Sequence, residues 1–214
     1  MYIEMNKIKN ELVDASKKLI RLGFNIGSEG NVSHRLGANV FITPSGVDAS
    51  NLDEEKISVV DLDGNKKNDK NPSSEVFMHL SIYKDRPEIN SITHCHSSWA
   101  TILSCLRLSI PSFHYMVAEF GGEDIKCSKY ATFGSKKLAN YVSSIIQDRK
   151  GCLISNHGQL TISNSIESTV HLACSLEKLS KQYFFCHLTK ETKLLKKTEM
   201  MKVVKLFESY KPTH

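Results

Sequence analysis

Nowhere do the 214 residues hold an uninterrupted apolar run near the roughly 18 positions that a membrane helix needs. From Met1 to Phe24 a charge recurs every few positions and no apolar signal core is present, so the sequence predicts a cytoplasmic protein with no membrane partner. Cys95, Cys105, Cys127, Cys152, Cys174 and Cys186 lie far apart, without a C-x-x-C pair. That spacing gives no support to a zinc ribbon, a thioredoxin-like motif or a dense disulfide framework, and it fits reduced, mostly buried thiols. There is no G-x-G-x-x-G and no P-loop, so a nucleotide cofactor lacks its motif. A dense basic stripe is missing too. The net charge of +5 is scattered, and its thickest runs, 66–70 and 193–197, read as solvated faces. The sequence thus predicts no nucleic-acid partner and leaves anionic small molecules as a weaker second reading.

Repeats, low-complexity segments and dividing linkers are also absent. With 40% hydrophobic and 24% charged residues, the composition is that of an ordinary globular protein. One domain spanning 1–214, with ample length for a core, is the expectation. Helical spacing of apolar residues covers 7–22, and Gly23 follows as a stop. Short strands are predicted at 40–42, 57–62 and 89–96, and a further one over 110–117. The stretches 151–155 and 159–163 read as two strands flanking Asn156-His157-Gly158. Pro72-Ser73-Ser74-Glu75 has the grammar of a helix start, with a serine available as N-cap and Glu75 in the first turn. Further helices are expected at 98–106, 134–147, 166–188 and 199–210. Regular β-α-β alternation is lacking, which favours an α/β chain with a largely antiparallel sheet and packed helices.

His94-Cys95-His96 is the first candidate for chemistry. On a strand both imidazoles leave the same face, about 6.6 Å apart at Cα, and can converge on one ion while Cys95 points away. An isolated H-x-H reads more readily as one packed and one solvated histidine. His157, in a tight turn, offers a third ligand, although a lone turn histidine is more often a surface hydrogen-bonding group. Glu75 is the best-placed carboxylate, with an ordinary first-turn acid as its alternative. His34, His79, His114, His171 and His187 show no partner pattern and read as packing or surface residues. Gly30-Asn31, Ser45-Gly46 and Ser73-Ser74 could each form an anion nest from backbone N–H groups and hydroxyls, yet singly each is plain turn chemistry.

In chain order these stretches resemble the class II aldolase/adducin family. The resemblance runs through Arg21-Leu22-Gly23-Phe24-Asn25, Gly30-Asn31-Val32-Ser33, Ile42-Thr43-Pro44-Ser45-Gly46 and Pro72-Ser73-Ser74-Glu75. It continues through His94-Cys95-His96, 110–116, Tyr130-Ala131-Thr132-Phe133-Gly134 and Asn156-His157-Gly158. It implies a compact α/β/α fold with a central, mainly antiparallel sheet. A C4 homotetramer with active sites at subunit interfaces is also implied. Zinc, one per subunit, would be held by His94, His96, His157 and, in the resting enzyme, Glu75. Gly30, Asn31, Ser45, Gly46, Ser73 and Ser74 would hold the substrate phosphate and nearby oxygens. Tyr115 would act as proton donor in a neighbouring subunit's site, and Tyr210 would match a second tyrosine closing it.

The segments around Tyr115 and Tyr130 resemble the family's sugar-phosphate aldolases. Those enzymes reversibly cleave a ketose 1-phosphate, such as L-fuculose 1-phosphate, to dihydroxyacetone phosphate and an aldehyde such as L-lactaldehyde. In that chemistry zinc acts as Lewis acid and Glu75 shuttles the proton. The scaffold also hosts epimerases, dehydratases and decarboxylases, and close substrates such as 5-deoxyribulose 1-phosphate compete. Glutamate rather than aspartate at position 75 favours the aldolase over the epimerase. An adducin-like interaction module would be expected to have lost part of the metal set, which is intact here. Two departures stand out. Glu29 takes the place of a small residue and would repel a phosphate unless it points away, and Asn156 precedes the third histidine.

Overall fold

The computed structural model describes residues 2–209; Met1 and 210–214, including Tyr210, lie outside the described residues. Helix α1 (Tyr2–Arg21) is followed by strands β1 (Asn31–Leu36), β2 (Asn39–Ile42) and β3 (Ser58–Asp61). Helix α2 (Val76–Asp85), strand β4 (Ser91–Cys95) and helix α3 (Ser98–Cys105) come next. A 3-10 turn at Tyr115–Phe120 leads to helix α4 (Lys136–Ile145), the hairpin β5 (Gly151–Ile154) and β6 (Gly158–Ser163), and helices α5 (Ile166–Thr189) and α6 (Lys197–Ser209).

The strands form one open sheet of order β3-β2-β1-β4-β6-β5, and every neighbouring pair is antiparallel. The expected mainly antiparallel sheet is therefore antiparallel throughout its named strands. Period-2 alternation divides the core between its two faces. Val40 and Ile42 pack toward α2 and α4, whereas Phe41 between them packs toward α1 and α5. Cys152 and Ile154 likewise face α2 and α4, and Leu153 faces α3, α5 and α6. This is the helix–sheet–helix layering expected from the sequence.

Three local expectations change. Helix α1 begins at Tyr2 rather than Lys7, because Met5, about one turn before Ile8, packs against the same core cluster and extends the apolar face toward the N-terminus. The strand expected over 110–117 does not form. Pro111 has no N–H for a ladder, only Ile110 makes a bridge (to Ile125), and the His114 ring accepts the Met116 N–H to start the 3-10 turn. Glu75 stands at the N-cap of α2 rather than in its first turn, and its side chain makes no capping bond.

Candidate metal centre and active site

Strand β4 delivers His94 on the α2 side of the sheet, while Cys95 turns into the α1/α5 core as the alternation requires. His96 lies one residue past the strand, its N–H held by the Phe24 carbonyl and Asn25 Oδ1, both at 3.1 Å. His157 ends the three-residue turn of the β5–β6 hairpin. Asn156 there takes a left-handed conformation, φ 54°, and α3 clamps the turn: Asn156 N donates to Ser104 O and His157 N to Ser104 Oγ. Arg107 Nε adds a 3.0 Å bond to Asn156 Oδ1. Glu75 reaches the same point from α2, because its backbone N–H is taken by Ser73 Oγ and its carboxylate is left to face the imidazoles.

The three imidazoles and the carboxylate converge. The three donor nitrogens lie within 4.8 Å of one another. His94 Nε2 is 3.1 Å from His96 Nε2 and 3.1 Å from Glu75 Oε2, and His157 Nε2 is 3.5 Å from Glu75 Oε1. A tetrahedral ion with ligands at roughly 2.0–2.1 Å needs donors about 3.3 Å apart, which these separations match. His94 Nδ1 donates to the Gln159 carbonyl at 2.8 Å, so in the neutral ring Nε2 carries the lone pair facing the cluster. Glu75 Oε1 is buried and accepts no hydrogen bond among the described residues. Such a donor set fits a metal ion.

Burial would raise the Glu75 carboxyl, but His94 and His157 beside it and the bonds from His94 and Asn31 hold it well below the usual carboxylate range. Burial would lower His94, yet the Glu75 carboxylate outweighs it and the net shift is upward. Burial, reinforced by His94, pushes His96 and His157 down to about 4. Both are therefore neutral near pH 7, the form that ligates metals.

Above this cluster opens a cavity of about 510 Å³, in the range of small-molecule sites. Gly30, Asn31, Ser45, Gly46, Ser73 and Ser74 all line it, with Glu75, His96 and His157; His94 is fully buried beneath. The two serine stretches meet because 43–45 and 71–73 run side by side. Pro44 bridges Pro72, Ser73 N donates to Thr43 O and Ser45 N to Asn71 O. Gly30 is required by both conformation and space: its φ is +64°, and a Cβ there would lie 2.6 Å from His94 O. Tyr115 is 52% exposed and does not line this cavity. Glu29 does line it, but its carboxylate accepts the Ile26 N–H at 3.0 Å and lies 3.7 Å from His96 Nδ1. It is occupied with its own loop and His96.

A family model described as the class II aldolase and adducin N-terminal domain matches residues 10–184. The chain belongs to the class II aldolase and adducin family. An L-fuculose phosphate aldolase of Escherichia coli is 35% identical over 209 residues, 97% of each chain. A 5-methylthioribulose-1-phosphate/5-deoxyribulose-1-phosphate aldolase of Rhodospirillum rubrum is 36% identical over 203 residues, 95% of this chain and 92% of its own. A solved L-fuculose 1-phosphate aldolase superposes with a TM-score of 0.91 at 34% identity, covering 94% of this chain and 96% of that one. This class II aldolase is thus an enzyme, a carbon–carbon lyase, with a histidine cluster that could bind a metal.

The sequence reads His79 as a packing or surface residue and assigns no site role to Phe133 or to the Ser104–Arg107 clamp. Phe133 lines the cavity, and His79, fully buried behind the wall, hydrogen-bonds the lining residue Asn31. The only signal for His79 was its place four residues after Glu75, one helical turn along the same face.

Proposed function

We propose that the chain reversibly cleaves a ketose 1-phosphate between C3 and C4, giving dihydroxyacetone phosphate and an aldehyde. The observation that carries this reading is the convergence of His94, His96, His157 and Glu75 at the floor of a cavity lined by Gly30, Asn31 and the two serine stretches. No lysine lines that cavity among the described residues, so the site offers no amine for a Schiff base. The 1-phosphates named for the relatives share a C1 phosphate, a C2 ketone and a terminal carbon that is a methyl or carries a methylthio group. We infer a substrate of that class, L-fuculose 1-phosphate or a shorter deoxypentulose phosphate, with Tyr130, Ala131 and Phe133 supplying apolar surface for the far end.

The three histidines and Glu75 hold zinc, one ion per subunit, in this reading. Bound there, zinc supplies a Lewis acid for the negative charge that develops on the donor half. Ser45, Gly46, Ser73, Ser74 and Gly30 bind the phosphate through hydroxyls and backbone N–H groups, and that remote binding orients the reacting carbon. In the synthetic direction Glu75 takes the proton from C3, C3 bonds to the aldehyde carbon, and the Tyr115 phenol of a neighbouring copy protonates the new C4 oxygen. Cleavage is the reverse. The exposure of Tyr115 outside its own cavity supports its service in an adjoining site, and with it a homotetramer with interfacial active sites. The reading treats 1–214 as one catalytic domain in the cytoplasm; no described helix is long and apolar enough to cross a membrane.

The test is release of dihydroxyacetone phosphate by metal-loaded protein from L-fuculose 1-phosphate, 5-deoxyribulose 1-phosphate and 5-methylthioribulose 1-phosphate. Release that a chelator abolishes is expected from at least one. No release from any would refute the reaction, and release unaffected by the chelator would refute the metal.

A further inference from the structure

Behind Glu75 runs a buried line of polar side chains that starts at the cavity residue Asn31 and beyond it has no part in the chemistry above. Asn31 Nδ2 lies 3.0 Å from Glu75 Oε2, Asn31 Oδ1 lies 2.6 Å from His79 Nε2, and His79 Nδ1 lies 2.7 Å from Ser33 Oγ. Ser33 Oγ is in turn 2.7 Å from the Tyr83 hydroxyl. Ser33 and His79 are fully buried, Tyr83 nearly so. The line is a zipper between two elements. Glu75, His79 and Tyr83 recur every fourth residue along α2 and its cap, a step of about 6 Å, while Asn31 and Ser33 are two apart on β1, about 6.6 Å. The near equality of those steps lets helix and strand residues alternate as rungs.

From Glu75 outward, the carboxylate sets the direction of each link in turn. Glu75 is an acceptor, so Asn31 must offer its NH2; its carbonyl then faces His79, whose Nε2 must carry a proton. Burial pushes the His79 imidazole down to about 3, so the ring is neutral and Nδ1 is bare. Nδ1 therefore accepts the Ser33 O–H, and the Tyr83 O–H is shared between Ser33 Oγ at 2.7 Å and the Asn90 carbonyl at 3.2 Å. Reversing the Asn31 amide would set its carbonyl against the carboxylate and its NH2 against the His79 N–H. An imidazole protonated at Nε2 thus holds the amide in the same orientation that the carboxylate requires.

We propose that His79 is a positioning residue for Glu75, acting through the side-chain amide of Asn31. It holds the amide with N–H toward the carboxylate, which keeps Glu75 aimed at the reacting carbon when it is not bound to metal. The second Nδ2 hydrogen of Asn31 is left for a substrate oxygen in the cavity. The inference rests on the reading of Glu75 as the group that moves the proton.

The first test reads imidazole 15N shifts of the metal-loaded full chain, with the His79 signals assigned by their loss in His79→Gln. A neutral ring protonated at Nε2 is expected; protonation at Nδ1, or an imidazolium near pH 7, overturns the proposal. No substrate is needed, so this outcome stands apart from the aldolase assay. The second test compares two variants with the substrate that the wild type cleaves. His79→Gln retains an N–H that reaches Asn31 and is expected within a few-fold of wild-type kcat. His79→Asn is too short and is expected to lose roughly 10- to 100-fold in kcat, the usual cost of removing such a supporting partner, with a smaller change in KM. Melting midpoints establish that both variants are folded. Equal loss in the two folded variants, or no loss in His79→Asn, overturns the proposal; should neither fold, the tautomer decides it.

Discussion

A carboxylate surrounded by imidazoles gives up hydration that it would keep on the surface, and it stays ionised only because positive or donating groups replace that water. At Glu75 those groups are His94, His157 and Asn31. Replacing the carboxylate by its amide leaves three imidazoles for the metal but removes the proton carrier. Glu75→Gln is expected to retain metal and lose roughly 10²- to 10⁴-fold in kcat; an unchanged kcat would assign proton transfer elsewhere. His96→Ala removes a ligand that packs no core cluster, so loss of both metal and turnover at a near-native melting midpoint is expected. His79 imposes a pH dependence on stability. Its value falls from an ordinary 6.5 to about 3 on folding, so the unfolded chain binds the proton more tightly. Stability is full above pH 6.5 and declines as pH falls toward 3, by about 2 kcal/mol from this group between pH 6.5 and 5. Melting midpoints at pH 7 and 5 check it, since His79→Gln should show the smaller drop.

Elements set how closely these side chains approach. The β4–β6 pairing places Cys95 opposite Gln159, and Gly158 before it lies against the strand end that carries His96. A Cβ at Gly158 would come 2.5 Å from Cys95 O and 3.0 Å from His96 Cδ2. Gly158→Ala is expected to push β4 and the hairpin apart, at a cost of about 1–3 kcal/mol, and to lower the metal bound per chain. Thermal melting and metal analysis measure the two effects. The start of α3 is fixed by a neighbouring helix on the same face of the sheet. Glu177 of α5 accepts the Trp99 and Ala100 N–H groups and the Ser97 hydroxyl, a cap supplied across the fold rather than by a local residue. Ser97 follows His96 directly, so this cap also steadies a cluster residue. Nothing in the local sequence marks it, because its spacing is tertiary.

At the scale of the molecule, the cavity of one chain contains the proposed metal and phosphate groups but not Tyr115. Four copies are expected in solution, with each Tyr115 serving a neighbour. Tyr115→Phe should lower kcat without altering metal content. Mixing it with Glu75→Gln by joint unfolding and reassembly should restore part of the activity, because some sites then combine an intact Glu75 with an intact neighbouring Tyr115. Sedimentation of the wild type and turnover of the mixture check the pair of expectations. A fully active monomer would show that Tyr115 acts within its own chain or not at all.

Alternation, helical spacing and turn residues act over a few positions, and such short-range signals were readable in the chain. They gave the strands at 40–42 and 151–163, the opposite facing of Cys95 and His94, and the amphipathic helices. The order of the aldolase-like stretches gave the family. Other features depend on which segments meet. The antiparallel neighbours of β4 bring His157 and Asn31 to His94, and the Pro44–Pro72 bridge joins two serine stretches that are far apart in sequence. His79 illustrates the division. Its spacing from Glu75 and Tyr83 was legible, but a fourfold helical step becomes a hydrogen-bonded line only when a strand of matching rise is packed against it. The local pattern thus determined which side chains share a face, and only the tertiary structure decided what that face would meet.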